Sequence, residues 1–427
     1  MLKITLPDYI VIKLSYVKSK LVVYLYKSLL LALKKVGVGL FNTRSLPVVF
    51  LDDMLPIELL SSEEECLVYS PCKYELVDPV GKAVIAPAVH LYLFQSAIVC
   101  PRSSSIIAGG KLVVEQIPYL DIGNCNYASG MVLYHNQELA LVRCGEIKLF
   151  LEDGFFLGGN GSWNYYHWMT ELVPKLEYYF DLNLIEKTKN IIVSSEAKNN
   201  KTFNDMLAHI FYGVDVNFIY LDDRQSCLVG SLYVVNAPNN ILFNAKKKVC
   251  DTTYNFFRKK SLDCTKNIVF GMAEKTKNKC LVNVIDGLRN KNGNLNIFMP
   301  RKKGSARSYN QDAVESILVE GFGFKSIYVE DYSIEEQASI FANADFLVGA
   351  SGAVWTNLIF CKPGALAISW LPSHMLDFSV YSTIAMHYKV KMLFVECIPH
   401  EVNMIQTSYD VPLDILSQSL KRLVVET

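Results

Sequence analysis

Four residues at helical spacing, Asn164, His167, Trp168 and Glu171, are the first in this chain whose types could do chemistry together. They stand at i, i+3, i+4 and i+7, so a helix carries them on one face. An imidazole beside a carboxylate suits general-base work, because an attacking hydroxyl must lose its proton and histidine titrates near neutral pH. His167 and Glu171 are therefore the catalytic candidates, with Asn164 and Trp168 walling the side where the hydroxyl enters. A buried histidine that bonds Glu171 and merely fixes the helix would satisfy the same spacing. One histidine and one acid leave a metal's coordination sphere short, so no metal is expected there. The lead-in Gly158-Gly159-Asn160-Gly161 lets backbone approach a ligand closely.

A second set follows an apolar strand: Met299-Pro300-Arg301-Lys302-Lys303, then Arg307 to Asn310. Positive charge just past the carboxyl end of a parallel strand lies where α/β folds bind ligands. Arginine suits a diphosphate because its planar fork donates two hydrogen bonds at once. Arg301 and Arg307 are the anion-binding candidates, and Asn310 is a plausible cap for the next helix. A solvated basic loop would look the same residue by residue.

The third set runs from a buried strand through Gly349, Ala350, Ser351 and Gly352 directly into Ala353–Phe360. That geometry presents backbone N–H groups to a phosphate, although tight strand–helix packing also explains small residues. Thr356 and Asn357 interrupt an otherwise apolar helix. Upstream, Ser333 and Glu336 read as a capping box, which leaves Glu335 or Gln337 free to face a ribose.

These residues need a scaffold. From Phe155 onward the pattern alternates: helix Trp163–Phe180, strand Asn190–Ser194, helix Asn200–Phe211, strands near Asn217–Tyr220 and Leu232–Val235, and a connecting helix near Thr252–Lys260. Strands are then expected at Asn267–Phe270, Leu295–Pro300, Ser326–Val329, Phe346–Gly349 and Ala365–Trp370. The helices between them are Asn310–Glu320, Ile334–Asn343 and Ala353–Phe360, with a closing helix at Pro412–Val424. Such alternation specifies parallel sheets covered on both faces, an α/β fold. Ahead of it, Glu65 to Phe150 reads as short strands and turns, an accessory region.

The 427 residues suffice for two domains of ordinary size, and 51% hydrophobic content supplies two buried sheets. The charge sums to zero, which excludes general nucleic-acid binding. It is unevenly spread, however: eight basic residues stand against Asp8 alone in the first fifty. Between residues 9 and 36 lysines alternate with apolar runs, as in a basic amphipathic helix lying on a membrane surface; a core-docking helix with lysines in water is the alternative. No cleavable leader of the usual form and no clean transmembrane run is read there. Eleven cysteines scattered without metal-ligand spacing suggest reduced thiols in the cytoplasm.

In this order and spacing the segments resemble glycosyltransferase family 61, which includes bacterial capsular polysaccharide transferases and eukaryotic xylosyl- and N-acetylglucosaminyltransferases. The resemblance covers roughly residues 155–372. Asn164, His167 and Trp168 match its Asn-x-x-His-Trp element, followed by Glu171 and Pro174. Arg307 and Asn310 match Arg-x-x-Asn, Glu336 and Gln337 match Glu-Gln, and Gly352, Ala353, Asn357 and Phe360 match the Gly-Ala block. Two positions depart: Ser351 stands where the family usually has His, and Ser369 where it usually has Glu.

The resemblance implies a GT-B-like architecture of two Rossmann-type lobes facing a cleft. Its parts would be a basic N-terminal segment (1–48), a strand-rich accessory region (49–150), an acceptor lobe (151–255) and a donor lobe (256–427). It implies transfer of a sugar from a nucleoside diphosphate sugar to a glycan or lipid-linked glycan acceptor in surface polysaccharide synthesis. Inversion at the anomeric carbon and no cofactor or metal are expected, since cationic side chains and helix dipoles stabilise the leaving diphosphate. Asn164 and Trp168 become acceptor-side residues; Arg301, Arg307, Asn310, Gln337, Ser351, Gly352, Ala353 and Asn357 become donor-binding ones. The two serines favour one alternative, a catalytically silent glycan- or nucleotide-binding subunit of an assembly complex. The expected location is cytoplasmic, peripheral on the inner face of the membrane.

Overall fold

A computed structural model describes residues 43–73, 79–115, 130–143, 147, 149–223, 225–239, 245–263, 273–302, 307–375, 378–401 and 407–425. The basic segment at 9–36 and the strand expected at Asn267–Phe270 lie outside them.

The first sheet opens with β1 (Thr43–Phe50), β2 (Glu58–Ser61), β5 (Val89–Val99), β6 (Ile106–Ala108), β7 (Lys111–Val114), β8 (Val132–His135) and β9 (Leu139–Arg143), while β3 (Glu64–Tyr69) and β4 (Gly81–Ala86) form a separate hairpin. It continues through β10 (Leu149–Leu157), β11 (Asn190–Ser194), β12 (Asn217–Leu221) and β13 (Cys227–Val235), which run parallel in the spatial order β12-β11-β10-β13. The antiparallel pairing of β5 with β13 merges the strand-rich stretch into this same sheet, so it does not form a sheet of its own. Both faces of the parallel block are covered, which is why β11, Asn-Ile-Ile-Val-Ser, is apolar without alternation.

A second sheet has the order β15-β14-β16-β17-β18-β19, from β14 (Asn296–Met299), β15 (Lys325–Ser326), β16 (Phe346–Ala350), β17 (Leu366–Pro372), β18 (Lys391–Pro399) and β19 (Tyr409–Asp410). All its pairs are parallel except β18 with β19. Every residue of β16 and β17 is buried.

The helix carrying His167, α1, spans residues 165–181 and contains a π-turn at Trp168–Leu172. It is followed by α2 (Lys201–Ile210), the connector α3 (Lys247–Asp263) and α4 (Ala273–Leu288). The second sheet adds α5 (residues 311–321), α6 (Ile334–Asn343), α7 (Val380–His387) and the closing α8 (Leu413–Val425). The capping box forms as read, with Ser333 and Glu336 bonding reciprocally. Two elements differ from expectation. The strand expected over Ser326–Val329 covers only Lys325–Ser326 before a 3-10 turn at Val329–Asp331, and Ala353–Phe360 is a 3-10 helix throughout.

One apolar cluster joins the two halves: Phe155, Trp168, Leu176 and Phe203 belong to it from the first, Ile297, Phe341, Trp355 and Phe360 from the second. Phe257 of α3 meets Phe360 edge-on at 6.3 Å between ring centres. Among the described residues no helix is long and apolar enough to cross a membrane.

Candidate active site

Strand β10 ends at Leu157, and a turn carries the chain into α1. Gly161 makes that turn possible: its φ is +79°, and a Cβ there would lie 2.3 Å from Cδ2 of His167. Asn164 then caps the helix, its side-chain oxygen accepting the Tyr166 N–H at 2.9 Å. One turn on, His167 Nδ1 meets Glu171 Oε1 at 2.7 Å. A carboxylate only accepts, so Nδ1 carries the hydrogen and Nε2 is the nitrogen with a lone pair to accept a proton. Burial works against the imidazolium, but the charge and hydrogen bond of Glu171 outweigh it and hold the His167 pKa above its ordinary value.

Across the seam, Arg301 follows β14. Its Nη1 donates to the Arg307 carbonyl at 2.8 Å and its Nη2 to the Ser351 carbonyl at 2.5 Å. Arg307 reaches the same Ser351 oxygen at 3.4 Å. Two guanidinium groups thus converge where the 3-10 helix begins, and a Cβ on Gly352 would lie 4.0 Å from Arg301 Nη2. Among the described residues neither arginine forms an ion pair, and burial followed by the Arg301 charge depresses the Arg307 pKa. Lys302 is different: it pairs with Asp331 at 2.5 Å on the surface.

The 3-10 helix links these arginines to a cavity of 240 Å³ bordered by both halves of the chain. Side chains three apart eclipse on such a helix, so Val354 and Asn357 both line the cavity, opposite Trp163, Phe203 and Asn200. Asn357, fully buried, accepts from the Tyr165 hydroxyl at 2.5 Å and donates to Gln337 Oε1 at 3.2 Å.

The family model described as glycosyltransferase 61 matches residues 165–368, a span that holds α1, both arginines and the 3-10 helix. Those residues form a glycosyltransferase 61 domain. No curated protein matches the chain in sequence.

In this glycosyltransferase the expected site residues divide into two groups. Arg301, Arg307, Ser351, Gly352 and Ala353 gather at the mouth of the 3-10 helix, Ser351 through its main-chain carbonyl, while His167 and Glu171 form a pair of their own on α1. Tyr166, whose ring lies 5.2 Å from that of His167, and the two arginines are all within electrostatic range of Tyr381 of α7. The remaining residues hold structure. Trp168, expected on the acceptor side, is fully buried: it stacks on Phe203 at 4.7 Å and donates to the Ser162 carbonyl at 2.6 Å. Asn164 is occupied as the cap. Asn310 makes no cap bond; it clamps Val411 from both sides, at 2.9 and 3.0 Å. Gln337 bonds Asn357 and the Tyr332 carbonyl, and it lines the same cavity as Asn357.

Residue-by-residue reading passed over Tyr165, Tyr381, Lys175 and Glu115. The tandem Tyr165-Tyr166 at a helix start was the one visible signal, since a buried phenol needs a partner. Ser369, where the family has Glu, is buried with its hydroxyl unbonded.

Proposed function

We propose that the enzyme moves a sugar from a nucleoside diphosphate sugar to a glycan hydroxyl, with inversion and without a bound metal. The observation that carries this reading is the pair of arginines at the mouth of the 3-10 helix, neither of which has an acid partner among the described residues. Two half-buried cations without an acid partner are costly unless an anion completes them, and a diphosphate matches their forks. The adjoining cavity would take the nucleoside, its rings against Trp163 and Phe203.

On the other side, His167 Nε2 would accept the proton of the acceptor hydroxyl as that oxygen bonds to the anomeric carbon. The bond from that carbon to the diphosphate oxygen breaks in line, and the leaving charge is taken by Arg301, Arg307 and the N–H groups at Gly352 and Ala353. Those cations would supply the charge a metal supplies elsewhere. The matching arrangement is a GT-B one with the acceptor on the first half and the donor on the second. A role in capsular or exopolysaccharide synthesis at the cytoplasmic face, with the basic segment at 9–36 against the membrane, fits the charge pattern.

The test is a thermal-shift panel of nucleotide sugars followed by assay of donor hydrolysis and transfer. A donor that stabilises the protein and is turned over supports the reading. Stabilisation without turnover, in the presence of glycan acceptors, would favour the silent binding subunit instead.

A further inference from the structure

Behind the His167–Glu171 pair lies a lysine that the reaction as written does not use. Lys175 is 3% exposed and stands four residues beyond Glu171 in α1. Its ammonium donates to the Gly158 carbonyl at 3.3 Å, in the turn that leads to His167. No acid stands within ion-pair distance of it among the described residues. Glu115, past the end of β7, is half-buried and accepts the Ala237 N–H at 2.8 Å. Burial drives the Lys175 pKa down, opposed by Glu115 and Glu171; burial drives that of Glu115 up, opposed first by Lys175. A lysine seldom stays in such a place without compensation.

We propose that Lys175 is a positioning residue for sugar transfer: anchored on Gly158, its ammonium offsets the Glu171 carboxylate, so that Glu171 orients His167 without trapping its proton. This rests on the reading of His167 as the base. Without an opposing cation, a carboxylate 2.7 Å from the imidazole would hold it as a spent imidazolium. The π-turn at Trp168–Leu172 lies between His167 and Lys175, and π-turns are frequent at functional sites. The charged and titratable groups around the pair are Lys175, Glu115, Asp52, Tyr166, Cys250 and Tyr381.

The experiment follows the His167 imidazole by NMR in ¹³C-histidine-labelled full-length protein, with His167→Ala for assignment. It is paired with the pH profile of nucleotide release from UDP-N-acetylglucosamine, UDP-xylose, UDP-glucose and GDP-mannose. Lys175→Met should raise the His167 midpoint by about one pH unit and carry the acid limb of the rate profile with it. Glu115→Gln keeps the acceptor for Ala237 and should move the midpoint the other way, which serves if Lys175→Met does not fold. An unmoved midpoint in the folded variants overturns the proposal. Midpoints that shift while the rate profile stays fixed uphold the coupling of Lys175 to His167 and overturn His167 as the base.

Discussion

The Tyr165 hydroxyl donates to Asn357 Oδ1 at 2.5 Å, joining residues 192 positions apart and fastening the first turn of the histidine helix to the 3-10 helix. Asn357 passes the connection on to Gln337. Burial raises the Tyr165 pKa against the pull of the Asn357 bond, so the phenol stays neutral and the bond persists over the working pH range.

Tyr165→Phe should therefore destabilise the protein by about 1–3 kcal/mol, because Asn357 Oδ1 is left buried without a donor. Donor affinity should fall with it, since Asn357 lines the cavity. Denaturant unfolding and calorimetric titration with UDP would show both losses; unchanged stability would mean the bond is dispensable.

The arginines make a sharper contrast with their neighbour. Arg307→Ala should weaken UDP or GDP binding roughly ten- to a hundredfold, the worth of a charge-assisted hydrogen bond, while the fold survives. Arg301→Ala should lose both affinity and melting temperature, because Arg301 also ties Arg307 to Ser351. Lys302→Ala, which loses surface contacts with Asp331, Glu330 and the Tyr328 ring, should leave affinity nearly unchanged. Equal effects at all three would reduce the loop to nonspecific charge.

Sequence could not make that distinction. Arg301, Lys302 and Arg307 are alike as letters, and only the fold turns two toward Ser351 and one toward Asp331. The strongest periodic signals were legible: β11 and α6 lie where the pattern put them, because continuous apolar runs and a capping box are local causes. α7 was not foreseen, since Val-Tyr-Ser-Thr-Ile is rich in poor helix formers and becomes helical by burial. Trp168 misled for a related reason. Spacing placed it on the polar stripe, but the π-turn that starts at it rotates the face, and its indole finds both a ring and a carbonyl inside.

Gly161→Ala tests the entrance to α1. A side chain there must accept φ +79° and would strike the His167 ring; the backbone alone costs about 1–2 kcal/mol. Misplacing a base by an ångström costs on the order of a hundredfold in rate. Turnover should fall toward that of His167→Ala with donor affinity kept in both. A Gly161→Ala enzyme of normal rate would show that the His167 position is not critical.

The last prediction concerns pH. His167 sits above its ordinary 6.5 because Glu171 overcomes burial. A group whose pKa is raised on folding stabilises the fold fully below its unfolded value, and that contribution is lost as pH rises through the folded one. Glu171→Gln removes the carboxylate and leaves burial unopposed, so the His167 pKa should drop below 6.5 rather than return to it. Two consequences carry opposite signs. The melting temperature of Glu171→Gln should fall furthest behind the wild type near pH 6 and recover toward it in alkali. The acid limb of its rate profile should move down, so that its remaining activity extends to lower pH, even though an imidazole no longer held at Nδ1 lowers the maximum rate. Melting curves and rate profiles from pH 5.5 to 9 measure both, and a stability gap that is constant with pH would show that the pair carries no charge.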